Sequence, residues 1–205
     1  MTADPTAEPH EGLTLRDRAR GAVREEVMRQ AWDLFLRQGF EATTVDEIAE
    51  AAGMSRRTFF RYFAGKDELV LERLLVAGAE IAAALEARPS DEAAWPALRA
   101  AFDATVAVQE HYADRSRPLH LMLRDEPPLR ASILERRRRW EELLVPLVAL
   151  RLGPGVTLVD DPRPQAVTGA ALACLEAAQE LWAEGAERSL GDLLDDAMNA
   201  VRPLP

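Results

Sequence analysis

The sequence has a single cysteine, Cys174, so no disulfide bond can form within the chain. No apolar run reaches the ~18 residues that a membrane-spanning helix requires, and the amino terminus has no apolar core of the kind found in signal peptides. These features exclude a disulfide-stabilised scaffold. They predict a soluble, cytoplasmic protein in a reducing compartment, in which Cys174 is a buried packing residue.

Sequence motifs for catalysis and metal binding are also missing. The three histidines (His10, His111 and His120) lie apart, and there is no HExxH, CxxC or GxSxG motif and no glycine-rich phosphate loop. His111 and His120 could meet Asp114 near a pocket, but satisfied or exposed histidines are the simpler interpretation. We therefore expect a protein that is not an enzyme and that holds no metal or cofactor.

The chain is acidic, with 25 basic against 35 acidic residues, and Lys66 is its only lysine. A net charge of −10 would repel DNA. Between Ala51 and Lys66, however, the sequence has Arg56, Arg57, Arg61 and Lys66 and no acidic residue. A small basic surface on an acidic body indicates a directed nucleic-acid contact. The alternative is the solvated face of an ordinary helical turn.

Residues 43–66 are predicted to form two short helices joined by a tight turn. Thr44 and Glu47 match the S/T-x-x-E pattern of a capping box, which places a helix start directly after Thr44. Gly53 suits a left-handed turn, and Ser55 can cap the second helix. A helix, a glycine turn and a short polar-aromatic helix form a helix-turn-helix, whose second helix enters the DNA major groove.

The segment GFEATTVDEIAEAAGMSRRTFFRYFAGKDEL resembles the DNA-binding signature of the TetR family of transcriptional regulators, over about residues 20–75. The resemblance implies that Thr44 and Lys66 hold phosphates, while the second helix of the motif faces base edges and the neighbouring backbone. The DNA-binding residues implied in this way are Thr44, Ser55, Arg56, Arg57, Thr58, Phe60, Arg61, Tyr62 and Lys66.

Two positions depart from the pattern of that family. Phe60 stands where many members carry tyrosine, so a hydroxyl-to-phosphate bond is lost and apolar contact, for example with a thymine methyl, remains. Gly65 replaces the usual serine or asparagine before Lys66, which weakens the start of the next helix by a few tenths of a kcal/mol.

The rest of the chain shows helical spacing of apolar residues and no sustained alternation. We predict an all-α fold of about nine helices, in which a three-helix helix-turn-helix domain is joined by a long helix to a carboxyl-terminal helical domain. The predicted boundaries are a disordered tail over 1–12, the DNA-binding domain over 13–66, and a ligand-binding and dimerisation domain over 67–205.

The predicted helices of the second domain follow from its prolines and glycines. One helix is expected from residue 90 or 91 to about 112, and Pro118 and the Pro127-Pro128 pair should cut the next segment into short pieces. A long helix is expected from Pro128 to about residue 152. The last two helices are predicted over 165–185 and 189–202.

The last two helices are rich in alanine and leucine, which allows close helix packing. A four-helix interface with a second copy would place two recognition helices one DNA turn apart, as a palindrome requires. The alternative is a core within one chain. The predicted interface residues are Val167, Ala170, Ala171, Cys174, Leu175, Ala178, Leu181, Trp182, Leu190, Leu193, Leu194 and Ala197.

A ligand cavity is expected among the helices between about residues 95 and 152, although plain core has the same composition. The predicted lining is Trp95, Phe102, Leu119, Met122, Arg136, Trp140 and Leu144. Four consecutive arginines sweep about 400° of a helix, and Arg136 falls closest to the apolar stripe, where it could meet an anionic ligand. The other three suit a solvated run with i, i+4 partners Glu135, Glu141 and Glu142.

The stretch DEPPLRASILERRRRWEELLVPLVALRLG and the RRTFFRYF helix resemble the mycofactocin-associated branch of the family. This resemblance implies a long-chain acyl-CoA effector. We expect a homodimeric repressor that binds a pseudo-palindromic double-stranded DNA operator and is released by a small lipophilic, anionic effector. The alternatives are a neutral lipophilic or aromatic effector, or an all-α ligand-binding dimer without a DNA function.

Overall fold

The computed structural model describes residues 14–201, and helices are the only regular secondary structure in this part of the chain, as predicted. It forms ten α-helices and one short 3-10 helix. The predicted tail over residues 1–12 lies outside the described residues. The helices are α1 (Leu15–Gln38), α2 (Val45–Ala51), α3 (Arg56–Tyr62), α4 (Lys66–Glu86), α5 (Ala94–Ala101), α6 (Asp103–His111), α7 (Ala113–Asp125), the 3-10 helix (Pro127–Leu129), α8 (Arg130–Arg151), α9 (Arg163–Ala183) and α10 (Leu190–Ala200).

The amino-terminal helices begin where their capping residues predict. The Thr44 hydroxyl accepts from the Glu47 amide at 3.2 Å, and the Glu47 carboxylate accepts from the Thr44 amide at 2.8 Å, which completes the capping box of α2. Gly53 has φ of 67°, the left-handed conformation that the turn requires. Ser55 then caps α3 by accepting from the Thr58 amide at 3.1 Å.

One apolar cluster holds α1, α2, α3 and the first half of α4 together. Its centre contains four fully buried phenylalanines, Phe35, Phe40, Phe59 and Phe63. Leu123 of α7 and Leu129 of the 3-10 helix also pack into this cluster. The helix-turn-helix bundle is therefore completed by two residues from much later in the chain.

A second apolar cluster contains the other half of α4 and helices α5, α6, α8, α9 and α10. Ile81 and Leu85 of α4 lie in this cluster, whereas Leu69 and Leu74 of the same helix lie in the first. Helix α4 thus carries residues of both cores, and it packs most extensively against α8. No helix among residues 14–201 is both long and apolar enough to cross a membrane.

Two predicted helix boundaries were wrong. The helix expected up to residue 112 is divided at Phe102, whose side chain is fully buried and whose amide makes only long hydrogen bonds, 3.3 Å to Leu98 and to Arg99. Conversely, α7 runs without interruption through Pro118. Proline removes one helical hydrogen bond there, but burial of Leu123 further along holds the helix to the first cluster.

Candidate functional site

Helix α3 presents the side chains that were predicted to contact DNA on one solvent-facing side. Phe59 and Phe63 anchor the helix in the first apolar cluster. Arg56, Arg57, Phe60 and Arg61 are exposed, and Thr58 and Tyr62 are half-buried beside them. The structure therefore brings six of the nine predicted DNA-binding residues together on a single short helix.

The cations of α3 differ in how they are paired. Arg56 forms an ion pair of 2.7 Å with Asp46 of α2 and lies over the Phe60 ring at 5.5 Å. Arg57 and Arg61 have no carboxylate at ion-pair distance within residues 14–201. Uncompensated positive charge on this face thus comes mainly from Arg57 and Arg61, which is what phosphate and base contacts require.

Lys66 points into the protein. Its ammonium group donates to the backbone carbonyls of Phe40 at 2.6 Å, Glu41 at 3.2 Å and Thr43 at 3.0 Å, and it lies 4.3 Å from the Phe40 ring centroid. An ammonium group has three N–H donors, and all three are used here. Lys66 therefore ties the start of α4 to the loop before α2, and a phosphate contact by this residue stays a prediction.

The two predicted serine and threonine contacts lie at helix starts. Thr44 is exposed, but its hydroxyl belongs to the capping box of α2. The Ser55 hydroxyl caps α3 and lies 2.9 Å from the Thr58 hydroxyl. Both residues therefore have a structural role in positioning the motif, and their contacts with DNA stay predictions.

One residue that positions α3, Arg24 of α1, was not predicted from the sequence. It donates through Nε to Glu72 of α4 at 3.1 Å and through its guanidinium to the Tyr62 carbonyl at 2.5 Å, and it stacks on Phe63 at 4.3 Å. It thereby fixes the carboxyl end of α3 to α1 and α4. Helical spacing could have indicated this position. Arg24 lies seven residues, or about two helical turns, before Ala31, so both residues are on the same face of α1.

Arg136 of α8 is buried, and Arg138 and Arg139 are exposed, as predicted. Arg137 does not lie on a solvated run, because it is half-buried and also pairs with Glu176 of α9 at 2.6 Å. Arg136 is only 6% exposed, stacks on Trp140 at 5.1 Å and donates to Glu176 of α9 at 2.8 Å. Burial lowers the pKa of Arg136, and the Glu176 carboxylate opposes this effect. The expected partners of Arg137, Arg138 and Arg139 are all present, since these residues pair with Glu141, Glu142 and Glu135 respectively.

A second group of polar side chains joins α6, α7 and α9, with Gln179 buried and His120 and Gln109 half-buried. His120 Nε2 is 2.9 Å from the Gln109 side-chain oxygen, which also accepts from Gln179 at 3.1 Å. Burial, assisted by the positive charge of Arg136, lowers the pKa of His120 to about 4. His120 is therefore neutral at pH 7 and donates its Nε2 proton to Gln109. His111 is exposed and packs edge-on against Tyr112, apart from this group.

The residues predicted to line a ligand cavity are mostly close-packed. Phe102, Trp140 and Leu144 are buried in the second cluster, and Trp95 packs against it. Leu119 is the one predicted residue that lines a groove of about 490 Å³ in the described chain, between α1 and the pair α6–α7. Met122 lines a neighbouring cavity of about 310 Å³.

The predicted dimer residues lie mainly inside the single chain. Eight of the twelve are buried in the second cluster, which corresponds to the alternative of an intrachain core: Ala171, Cys174, Leu175, Ala178, Trp182, Leu190, Leu193 and Leu194. Val167, Ala170 and Ala197 are half-buried, and Leu181 is 51% exposed. The predicted interface and the observed core differ because helical spacing identifies the apolar face of a helix but not which chain covers that face.

Two family models match this chain. Residues 27–72 match the bacterial regulatory proteins of the tetR family, and residues 92–204 match the MftR C-terminal domain. The transcriptional regulator TcmR of Streptomyces glaucescens is 34% identical over 201 residues, which cover 94% of this chain and 88% of TcmR. The chain belongs to the TetR family of transcriptional regulators.

Further similarity agrees with the TetR assignment. The mycofactocin biosynthesis transcriptional regulator MftR of Mycobacterium tuberculosis is 31% identical over 94% of this chain and 95% of its own. FadR of Thermus thermophilus, a TetR family transcriptional repressor solved with lauroyl-CoA, superposes with a TM-score of 0.60 and 24% identity, over 89% and 97% of the two chains. At that identity, the superposition shows the fold alone. Both resemblances seen in the sequence are confirmed, and the chain is a TetR-family regulator, not an enzyme.

Proposed function

We propose that this TetR-family protein is a ligand-responsive repressor that acts in the cytoplasm and binds a pseudo-palindromic operator as a homodimer. The observation that carries the proposal is the exposed face of α3, where Arg57 and Arg61 are unpaired within the described chain beside the exposed ring of Phe60. These side chains suit phosphate contact, bidentate contact with guanine and apolar contact with thymine. Residues 13–66 form the proposed DNA-binding domain, and 67–205 the proposed effector and dimerisation domain.

The proposed dimer contact uses the outward side of α9. Ala166, Ala170, Ala173, Ala177 and Leu181 follow one another at steps of four, three, four and four residues, which places them on one helical face. This face is exposed or half-buried in the single chain. Small side chains would let two copies of α9 approach closely around a two-fold axis.

The proposed effector is a lipophilic anion, of which a long-chain acyl-CoA is the named example. The resemblance of the carboxyl-terminal half to MftR implies this class, and a protein of the same fold was solved with lauroyl-CoA. Arg136 stays a predicted contact for the anionic group. Its Nε is buried without a hydrogen-bond partner in the described chain, but an anion would have to compete with Glu176 for the guanidinium.

Operator binding is tested by a mobility-shift titration on the DNA that flanks the gene of this protein. Arg57→Ala should weaken binding by about 1–3 kcal/mol, or roughly 5- to 150-fold, and should leave thermal stability unchanged. The control is Arg138→Ala, which removes the same charge from an exposed position on α8. Equal operator binding by Arg57→Ala and the control would contradict the proposed role of α3.

Effector response is tested on the same protein–DNA complex with lauroyl-CoA, coenzyme A and dodecanol. A coupling free energy of ~1–3 kcal/mol, typical of allosteric proteins, would weaken operator binding about 5- to 150-fold when lauroyl-CoA is added. Coenzyme A and dodecanol each lack one half of the amphipathic ligand and should have little effect. Release by dodecanol alone would replace the anionic effector by a neutral one.

A further inference from the structure

The groove between α1 and helices α6 and α7 has the dimensions of a small-molecule site. Its volume of about 490 Å³ lies within the ~300–1,000 Å³ that is typical of such sites. Met28, Trp32 and Leu119 provide apolar surface. Val108 and Tyr112 on the opposite wall are 50% and 51% exposed, which is a large exposure for apolar side chains. The groove is therefore an open, partly aromatic surface that one chain leaves uncovered.

One residue that lines this groove, Trp32, carries a buried hydrogen-bond donor. The indole Nε1 of Trp32 is shielded from solvent and has no acceptor in the described part of the chain. Buried polar groups almost always have a hydrogen-bond partner, so an exception in the wall of a groove indicates a missing acceptor. Because this nitrogen is shielded from solvent, the indole ring must turn toward the groove before a ligand oxygen can accept from it.

The charged groups of the groove favour an anion. Arg29 is already compensated by Glu26 and Asp33. Arg73 and Arg115 have neither an ion pair nor a side-chain hydrogen bond within residues 14–201. With Glu26, the carboxylates of Glu25 and Asp33 balance the three arginines overall (3 − 3), so the positive charge is concentrated at the unpaired Arg73 and Arg115. Such a local excess of positive charge attracts anions.

We propose that this groove binds an amphipathic aromatic anion, whose ring packs on Met28, Trp32 and Tyr112 and whose anionic group pairs with Arg73 and Arg115. The ligand would bridge α1 of the helix-turn-helix bundle and α6–α7 of the carboxyl-terminal part. Binding would hold α1 in one orientation relative to α7. An effect of this binding on operator affinity rests on the proposed function. In that case the effector would act through the groove and not through the buried Arg136.

Binding is tested by fluorescence titration of the full chain with 1-anilinonaphthalene-8-sulfonate, an aromatic sulfonate that brightens in apolar sites. The neutral analogue N-phenyl-1-naphthylamine is titrated in parallel. Arg73→Ala/Arg115→Ala should raise the Kd of the sulfonate at least about tenfold and that of the neutral analogue less than threefold. The control Arg130→Ala removes another exposed, unpaired arginine from the described chain, outside the groove, and should change neither Kd.

A second variant tests the location without changing charge. Ser116→Trp fills the groove from α7 and should abolish binding of both probes. If the double arginine variant binds the sulfonate as tightly as the native chain, or if both probes bind the Ser116→Trp variant normally, the proposal is overturned. Arg73→Gln/Arg115→Gln replaces the alanine variant if thermal melting shows that the latter is unfolded.

The operator assay separates this proposal from the proposed function. Sulfonate binding with the expected variant pattern, in a protein that retards no DNA, would overturn the proposed function and support the groove as a ligand site. Operator binding that is weakened by the sulfonate in the native chain, but not in Arg73→Ala/Arg115→Ala, would support both. Operator binding that the sulfonate leaves unchanged in the native chain would overturn the regulatory role of the groove.

Discussion

Gly78 allows α8 to lie directly against α4. A Cβ atom built at this position would be 2.2 Å from Cδ1 and 2.3 Å from Nε1 of Trp140, closer than any real contact. The Trp140 ring is buried, and its Nε1 donates to the Leu74 carbonyl of α4 at 3.1 Å. We therefore predict that Gly78→Ala destabilises the protein, although alanine is the better helix former.

The size of the effect follows from three terms. Alanine in a helix gains about 0.5–1 kcal/mol over glycine. Displacing a buried ring costs about 1–3 kcal/mol as overpacking, and breaking the bond to Leu74 costs about 1–3 kcal/mol as an unsatisfied buried donor. The central expectation is a loss of about 3 kcal/mol, which lowers Tm by roughly 6–12 °C for a domain of this size.

The matched control is Gly21→Ala in α1, where a new Cβ meets nothing within 4 Å. It should gain about 0.5–1 kcal/mol. Both variants are unfolded by urea at one protein concentration, with helix content followed by circular dichroism. In a Trp140→Ala background the clash is gone, so Gly78→Ala should then stabilise like the control. Unchanged or higher stability of Gly78→Ala in the native background would refute the reasoning.

Three further predictions concern buried charge. As the pH falls from 6.5 to 4.5, His120 becomes protonated in the unfolded state but stays neutral in the folded state, where its pKa is about 4. The free energy of unfolding measured by urea denaturation should therefore fall by about 2–3 kcal/mol over this pH range. The His120→Gln variant should not show that decrease. Lys66→Met should cost about 1–3 kcal/mol in the same assay, because three carbonyls lose their donor, whereas a residue used only for phosphate contact would leave stability unchanged. Glu176→Ala should cost about 3–5 kcal/mol by leaving Arg136 unpaired. Arg136→Met/Glu176→Leu should recover most of that loss, because Arg137, which also pairs with Glu176, keeps Glu141 and the Gly169 carbonyl; equal instability of the double variant would contradict this origin.

Local sequence rules predicted the helix-turn-helix accurately. The capping box at Thr44, the left-handed Gly53 and the cap at Ser55 each depend on residues at most three positions apart, so their pattern is visible in the sequence. The burial of Arg136 was also visible, because the 100° step of a helix puts one of four consecutive residues on the apolar face.

Contacts between distant segments could not be predicted in the same way. Glu176 lies 40 positions after Arg136, and Trp140 lies 62 positions after Gly78 (140 − 78), so no periodicity links either pair. The apolar faces of α9 and α10 illustrate the same limit, since burial by a neighbouring helix and burial by a second chain select the same residues.

The two apolar clusters bear on how a ligand could change DNA binding. The long helix that was predicted to connect the two domains is α4, which contributes Leu74 to one cluster and Ile81 to the other. The structure adds α7 as a second connection, because Leu123 lies in the core of the helix-turn-helix bundle while His120, one turn earlier, bonds to Gln109 of α6. A ligand that shifts α7 must therefore either move that bundle or expose Leu123. Because interiors are close-packed, movement of the bundle is the less costly response.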